Sequence, residues 1–312
     1  MHSRRLYLRE DWNDNAVATF LDALPATQGT VLVQVFSSFA DHNRVLPAVR
    51  DILRNLPGAV VIGASTAGEI DGGTMREQGA LLLFTLFEHC SVRGYQARAT
   101  TAFEVGRTLA QTALTPDTRC VIAFANSINT DGDEFLRGFA AANPAQVPLA
   151  GGMSADSARF EHCRVLLGDT WLDEGAVGVA IDGASLRVYQ DYNLSWRPIG
   201  RPMRVTKARG DVVYGIEGRT VVELYTRYLG SDIAGNLPRS AFDFPLFIEF
   251  DGLIIPRTMM SRPDASGGVQ FAGDIPEGAQ VRFGIVNNDA IVDSVRRVAQ
   301  QVREQAPEAL FA

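Results

Sequence analysis

Thr30-Val31-Leu32-Val33-Gln34-Val35-Phe36 is the stretch from which the fold can be worked out. It is an apolar run of strand length, and the chain changes character directly after it. Ser37-Ser38-Phe39-Ala40-Asp41 supplies loop and helix-capping residues. Val45, Val49, Ile52, Leu53 and Leu56 then recur at helical spacing, until Pro57-Gly58 stops the pattern. A second apolar run, Ala59-Val60-Val61-Ile62-Gly63, follows at once. Strand, helix and strand in this order predict a βαβ unit with parallel strands and a right-handed crossover. Residues 79–87 and 90–96 read as two further strands, expected to pair as a hairpin.

The same order returns from about residue 119. Arg119-Cys120-Val121-Ile122-Ala123-Phe124-Ala125 reads as a strand, and Asp131 to Ala142 as a helix with Phe135, Phe139 and Ala142 on one face. Asn143-Pro144 ends that helix, and Val147-Pro148-Leu149-Ala150-Gly151 reads as the second strand. Residues 176–181 and 186–190 are expected to form a second hairpin, with Leu186-Arg187-Val188-Tyr189-Gln190 matching Val92-Arg93-Gly94-Tyr95-Gln96. Gly63-Ala64-Ser65-Thr66-Ala67-Gly68 lies opposite Gly151-Gly152-Met153-Ser154-Ala155-Asp156 at a constant offset. A duplicated βαβ-plus-hairpin half, over 30–100 and 119–195, is the simplest account. The expected fold is α/β (α+β overall), with an extension at 1–29, the duplicated domain at 30–205 and a smaller mixed α+β domain at 206–312.

In the smaller domain, the Pro- and Gly-rich Trp196-Arg197-Pro198-Ile199-Gly200-Arg201-Pro202 reads as a connector rather than a strand. Residues 220–229 are amphipathic and closed by Gly230, so a helix is expected. Residues 247–286 read as an antiparallel meander with a turn at Asp251-Gly252, and residues 289–304 as a final amphipathic helix. The apolar ending Ala309-Leu310-Phe311-Ala312 reads as the opening of a buried strand, so the natural polypeptide is expected to continue.

Composition narrows the function. A formal charge of −7 argues against nucleic acid as the main partner, since phosphate neutralisation needs a basic surface. No apolar run approaches membrane-spanning length and no signal peptide opens the chain, so a cytoplasmic protein without membrane partners is expected. The three cysteines match no common zinc spacing, and no metal site or catalytic residue set is expected. Lys207 is the only lysine and so the only candidate for Schiff-base chemistry.

The loops after the parallel strands carry the candidate site, because ligands bind beyond the carboxyl ends of strands in open α/β sheets. The residues are Ser37 and Ser38; Ser65, Thr66, Gly68 and Glu69; Asn126 and Asn129; and Gly151, Gly152, Ser154 and Asp156. Short hydroxyl and amide side chains with glycines suit a compact polar ligand held in part by backbone N–H groups. The same residue types also cap helices and turns, which is the competing reading. His42, His89 and His162 are the candidates for an axial haem ligand, and Ser65 or Ser154 with a distant base for a hydrolase.

Gly63-Ala64-Ser65-Thr66-Ala67-Gly68-Glu69-Ile70 resembles the signature of the FIST N-terminal domain, and Gly151-Gly152-Met153-Ser154-Ala155-Asp156 its second phrase. Trp196-Arg197-Pro198-Ile199-Gly200 is similar to its closing motif. Val222-Glu223-Leu224-Tyr225 and Phe271-Ala272-Gly273-Asp274-Ile275-Pro276-Glu277-Gly278-Ala279 resemble the FIST C-terminal domain. The resemblance implies a bacterial sensory input module for a small ligand such as an amino acid, needing no cofactor. It implies an output domain or partner: a histidine kinase of a two-component system, a cyclic-di-GMP cyclase or phosphodiesterase, or a chemoreceptor. Some family members are haem-binding nitric oxide sensors, which keeps haem as the alternative.

Overall fold

The computed structural model describes residues 1–25, 29–157, 159, 161–190, 197–250, 253–285 and 288–305. They fall into two compact units that divide between Tyr189 and Gln190. The fold is α/β with several mixed sheets.

The first unit runs β1 (His2–Leu8), α1 (Asp14–Asp22), β2 (Thr30–Ser37), a 3-10 turn (His42–Val45), α2 (Leu46–Asn55), β3 (Val60–Ser65), β4 (Glu69–Asp71), β5 (Thr74–Arg76) and β6 (Ala80–Phe87). It continues through β7 (Ser91–Ala97), α3 (Ala102–Ala113), β8 (Thr118–Ala125), α4 (Gly132–Ala141), β9 (Leu149–Met153), β10 (Val165–Leu167), β11 (Thr170–Leu172) and β12 (Ala176–Asp182). One sheet has the order β1-β6-β2-β3-β10-β11 and the other β7-β12-β8-β9. In both, the βαβ pair is parallel (β2 with β3, β8 with β9) and the other neighbours are antiparallel.

The duplication is therefore present, with different limits from those expected. Each half is strand, helix, strand, helix, strand, hairpin, strand: β1 to β6, then β7 to β12. Residues 80–87 and 91–97 are not a hairpin, because β6 lies in the first sheet and β7 in the second. The short link 88–90 passes from one sheet to the other and from one repeat to the next. Residues 186–190 form no strand. The chain before Thr30 is no extension either, since β1 forms the edge of the first sheet and α1 covers it.

Alternating side chains sort these elements into four layers. Val31, Val33 and Val35 of β2 point at α1 and α2, packing with Val17, Val49 and Ile52. Leu32 and Ile62 point the other way, onto Ile122, Phe124 and Val179 of the facing sheet. Val121, Ala123 and Ala125 then meet Val105 and Leu109 of α3, and Phe135 and Phe139 of α4. Phe36 and Phe124, equivalent residues of the two repeats, meet edge to face with ring centres 5.5 Å apart.

The second unit contains β13 (Arg197–Arg209), β14 (Val212–Ile216), α5 (Val221–Leu229), α6 (Ser231–Gly235), β15 (Leu246–Phe250), β16 (Leu253–Arg257), β17 (Val269–Gln270), β18 (Gln280–Ile285) and α7 (Asn288–Gln305). Its sheet order is β16-β15-β18-β13-β14-β17 around a separate core that includes Leu224, Tyr225, Phe271 and Phe283. The expected meander holds only for the β15–β16 hairpin, because β17 pairs with β14 and β18 with β13. Both expected helices are present, and α5 opens with a Thr220–Glu223 capping box.

The expected connector is a long strand. Pro202 falls where the register on β18 breaks between Ile199 and Met203, beside Gly200 with a φ of +73°, and Pro198 lies where β13 is paired on one side only, before its pairing with β14 begins at Val205. That strand also runs through residue 205, where the sequence reading divided the domains. Trp196, the Asp251-Gly252 turn and residues 309–312 lie outside the described residues. Among the described residues no helix is long and apolar enough to cross a membrane.

Candidate functional site

Each repeat brings its two parallel strands to an end together. In the first, Ser37 and Ser65 are the last register pair, and the Thr66 N–H donates to the Ser37 carbonyl at 2.9 Å. Glu69, at the start of β4, is only 3% exposed. Its Oε2 accepts from the Ser38 hydroxyl at 3.1 Å and its Oε1 from the Thr66 hydroxyl at 2.7 Å. Burial pushes its pKa up, against the two hydroxyl bonds that favour the charged form. No ion pair to Glu69 is found among the described residues. Gly68 lets the link turn tightly: a Cβ there would stand 2.8 Å from the Arg76 carbonyl oxygen.

In the second repeat the corresponding positions fasten loops. Asn126 is fully buried, donates to the carbonyls of Cys163 (2.5 Å) and Asp173 (2.9 Å), and accepts from the N–H groups of Ile128 and Asn129. Asn129 donates to the same Asp173 carbonyl at 3.1 Å. The Ser154 hydroxyl accepts from the Ser127 N–H, and Asp156 from those of Arg159, Glu161 and His162. Gly151 has a φ of +141°, and a Cβ on it would lie 1.8 Å from the Ala123 carbonyl oxygen. Gly152 is exposed, with open space where a side chain would be.

The two sets of loops touch. The Ser65 carbonyl accepts from the Ala155 N–H at 2.8 Å, and the Ser65 hydroxyl accepts from the Arg164 N–H at 2.9 Å. Ser37 is fully buried, with its hydroxyl unpartnered among the described residues. Most of the hydroxyls and amides in these loops are thus occupied by backbone groups. Two carboxylates are buried in these loops: Asp156 accepts from backbone N–H groups, whereas Glu69 is held by the hydroxyls of Ser38 and Thr66.

The histidines separate. His89 and His162 are exposed, while His42 is 5% exposed. A ring nitrogen of His42, Nε2, lies 2.7 Å from the His162 carbonyl oxygen. A carbonyl only accepts, so Nε2 carries the proton and Nδ1 is left bare and buried, without a partner among the described residues. Burial lowers its pKa. Trp171 packs beside the ring and donates its indole N–H to the His42 carbonyl at 2.9 Å. No histidine hydrogen-bonds Ser65 or Ser154 among the described residues. Lys207 lies over the ring of Tyr214 in the second unit. No cluster of three or more His, Cys, Asp or Glu able to hold a metal is found among the described residues.

Other residues beside Glu69 were not among the expected ones. An open cleft of about 350 Å³ is lined by Tyr7, Arg9, Glu10, Arg76, Glu77 and Gln78. Arg76 stands opposite Glu69 across the β4–β5 hairpin, bonds Asp71 at 3.1 Å and lies over the Tyr7 ring. Burial raises the Tyr7 pKa, and the charge of Glu69 adds to it. Gln78 holds a φ of +57°, unusual for a residue with a side chain. Tyr7 and Arg9 carry no motif and became visible only when β1 proved to belong to the sheet.

A comparison with curated proteins finds no match. The family model for the FIST N domain matches residues 31–219, and the model for the FIST C domain matches residues 222–312. The β13–β14 hairpin thus belongs to the FIST N match while its strands sit in the sheet of the second compact unit. With both models matched in order, the chain belongs to the FIST family.

Proposed function

We propose that this chain is a ligand-sensing input module whose ligand carries a positive amine, an amino acid being the simplest case. FIST domains are sensory domains of signal transduction. The observation that carries the finer reading is Glu69, a buried carboxylate held by two neutral hydroxyls and in no ion pair among the described residues, Arg76 opposite it being bonded to Asp71. A ligand ammonium would supply the missing charge partner, a strong interaction in a site shielded from water. Arg9 and Arg76 in the adjacent cleft would hold the ligand's carboxylate. The loops at Ser37, Asn126, Asn129, Gly151, Gly152, Ser154 and Asp156 would frame the site. Binding would change the output of a histidine kinase, a cyclic-di-GMP enzyme or a chemoreceptor to the extent that two states of the module differ in affinity.

Thermal-shift screening and calorimetry against free amino acids, other amines and carboxylates without an amine test this directly. Amine-bearing compounds are expected to stabilise the protein, and Glu69→Gln to lose most of that response. Stabilisation by none of the compounds, or an undiminished response in Glu69→Gln, would overturn the reading.

A further inference from the structure

The duplication shows where a strand is missing. Both repeats carry a short hairpin after their second parallel strand, β4–β5 in the first and β10–β11 in the second. The two turn alike, with Gly72 and Gly168 both at a φ of +59°. They also sit alike on the neighbouring repeat strands. Asp71 meets Arg5 of β1 at 2.8 Å, and Leu167, the residue equivalent to Asp71, lies against Gly94, the residue equivalent to Arg5.

They differ along one edge. β10 pairs antiparallel with β3, setting Val165 opposite Ala64, Leu166 opposite Gly63 and Leu167 opposite Ile62. Leu166 is fully buried there, and Trp171 packs against the same core. β4 pairs only with β5, and β9, the counterpart of β3, has no strand on its outer side among the described residues. The residues equivalent to Leu166 and Trp171 are Ile70 and Met75, which face each other across the hairpin 75% and 65% exposed. The receiving side is exposed as well, at Met153 (40%) and Leu136 (54%). Leu136 follows the buried Phe135 of α4 as Arg50 follows the buried Val49 of α2, and Arg50 bonds Asp169 in the turn of the docked hairpin.

We propose that the free edge of β9 is an interaction surface for the β4–β5 hairpin of the same chain, which docks there to complete a second six-stranded sheet. The repeat sets the register: Glu69 opposite Gly152, Ile70 opposite Gly151 and Asp71 opposite Ala150. Docking covers Ile70 and Met75 and pairs an edge that otherwise offers unpaired backbone groups. Gly151, which accepts no side chain, becomes the partner of Ile70 as Gly63 is of Leu166.

Cysteine pairs test the register. Under mild oxidation of the monomer, Asp71→Cys with Ala150→Cys is expected to cross-link within one chain about tenfold faster than Thr74→Cys with Ala150→Cys, whose first position lies one strand further away. Adding Ile70→Ser and Met75→Ser, both exposed in this structure, should slow the first cross-link several-fold while the circular dichroism spectrum of the folded protein is unchanged. Peptide mapping separates these bonds from the three native cysteines. Hydrogen exchange on the protein without cysteine changes gives an independent reading: the outward β9 amides should be protected, and less so with Ile70→Ser and Met75→Ser. Equal cross-linking of the two pairs, cross-links only between chains, or unprotected β9 amides would overturn the proposal.

Discussion

Glu69 and His42 are both buried, and burial moves their pKa values in opposite directions because it disfavours the charged form of each. For His42 the folded value lies below its ordinary one, so the unfolded chain binds more protons in the window between them. Stability is therefore expected to fall as pH drops from about 6.5 through the lowered value. His42→Phe should be less stable than the parent at pH 8, by about 1–3 kcal/mol for the stranded His162 carbonyl. That gap should narrow in thermal melts taken toward pH 5, and a constant gap would show that His42 does not titrate in this way. For Glu69 the folded value lies above its ordinary 4.5, so its contribution is best in acid and declines as pH rises through the raised value. Glu69→Gln should flatten that decline and melt no lower than the parent at pH 7. Glu69→Ala, which strands two hydroxyls, should cost about 1–3 kcal/mol.

Helices α3 and α4 make a crossing that depends on two glycines. A Cβ on Gly106 would lie 2.0 Å from the Phe135 carbonyl oxygen, and one on Gly138 1.9 Å from that of Phe103. Gly106→Ala or Gly138→Ala is expected to cost about 3 kcal/mol or more in chemical denaturation, since backbone rather than a flexible side chain blocks the new atom. The double variant should cost less than the sum, because one separation of the helices relieves both clashes. An effect below about 0.5 kcal/mol would mean that the crossing yields easily.

At this scale much of the fold was legible. The strands and helices of both βαβ units, α5 and α7 announce themselves by apolar period and by caps. What stayed hidden depended on neighbours far along the chain. β1 is polar on both faces at Arg4 and Arg5, and its hydrogen-bond partner β6 lies some eighty residues on. β6 and β7 look like a hairpin because a short link joins two apolar runs, and nothing local states that they enter different sheets. β13 hides behind its prolines, which fit only because β18 pairs it on one side with a break in register at Pro202. The candidate loops were readable because strand ends and capping residues are local features. The bonds that divide fastening residues such as Asn126 and Ser154 from Glu69 were not.

For the whole molecule, the compact units and the family matches place their boundaries differently, and the difference can be measured. Residues 1–189 contain both layered sheets and their helices, so this fragment is expected to be monodisperse and to melt cooperatively. A fragment ending at 219 adds β13 and β14 without β18 and β17, exposing Met203, Val205, Val213 and Ile216. It should aggregate more readily in size-exclusion chromatography. If the longer fragment behaves better, the second unit's sheet does not need its later strands.

The pairing of β10 with β3 also has a bearing on how the protein is made. β3 leaves the ribosome about a hundred residues before the strand that covers its edge. At ordinary rates of synthesis that is a wait of roughly 5–20 s. Through that interval the nascent first half shows an open, apolar strand edge, able to pair with the wrong neighbour on the same messenger. The newborn chain should accordingly depend most on chaperones between the completion of β3 and the arrival of β10.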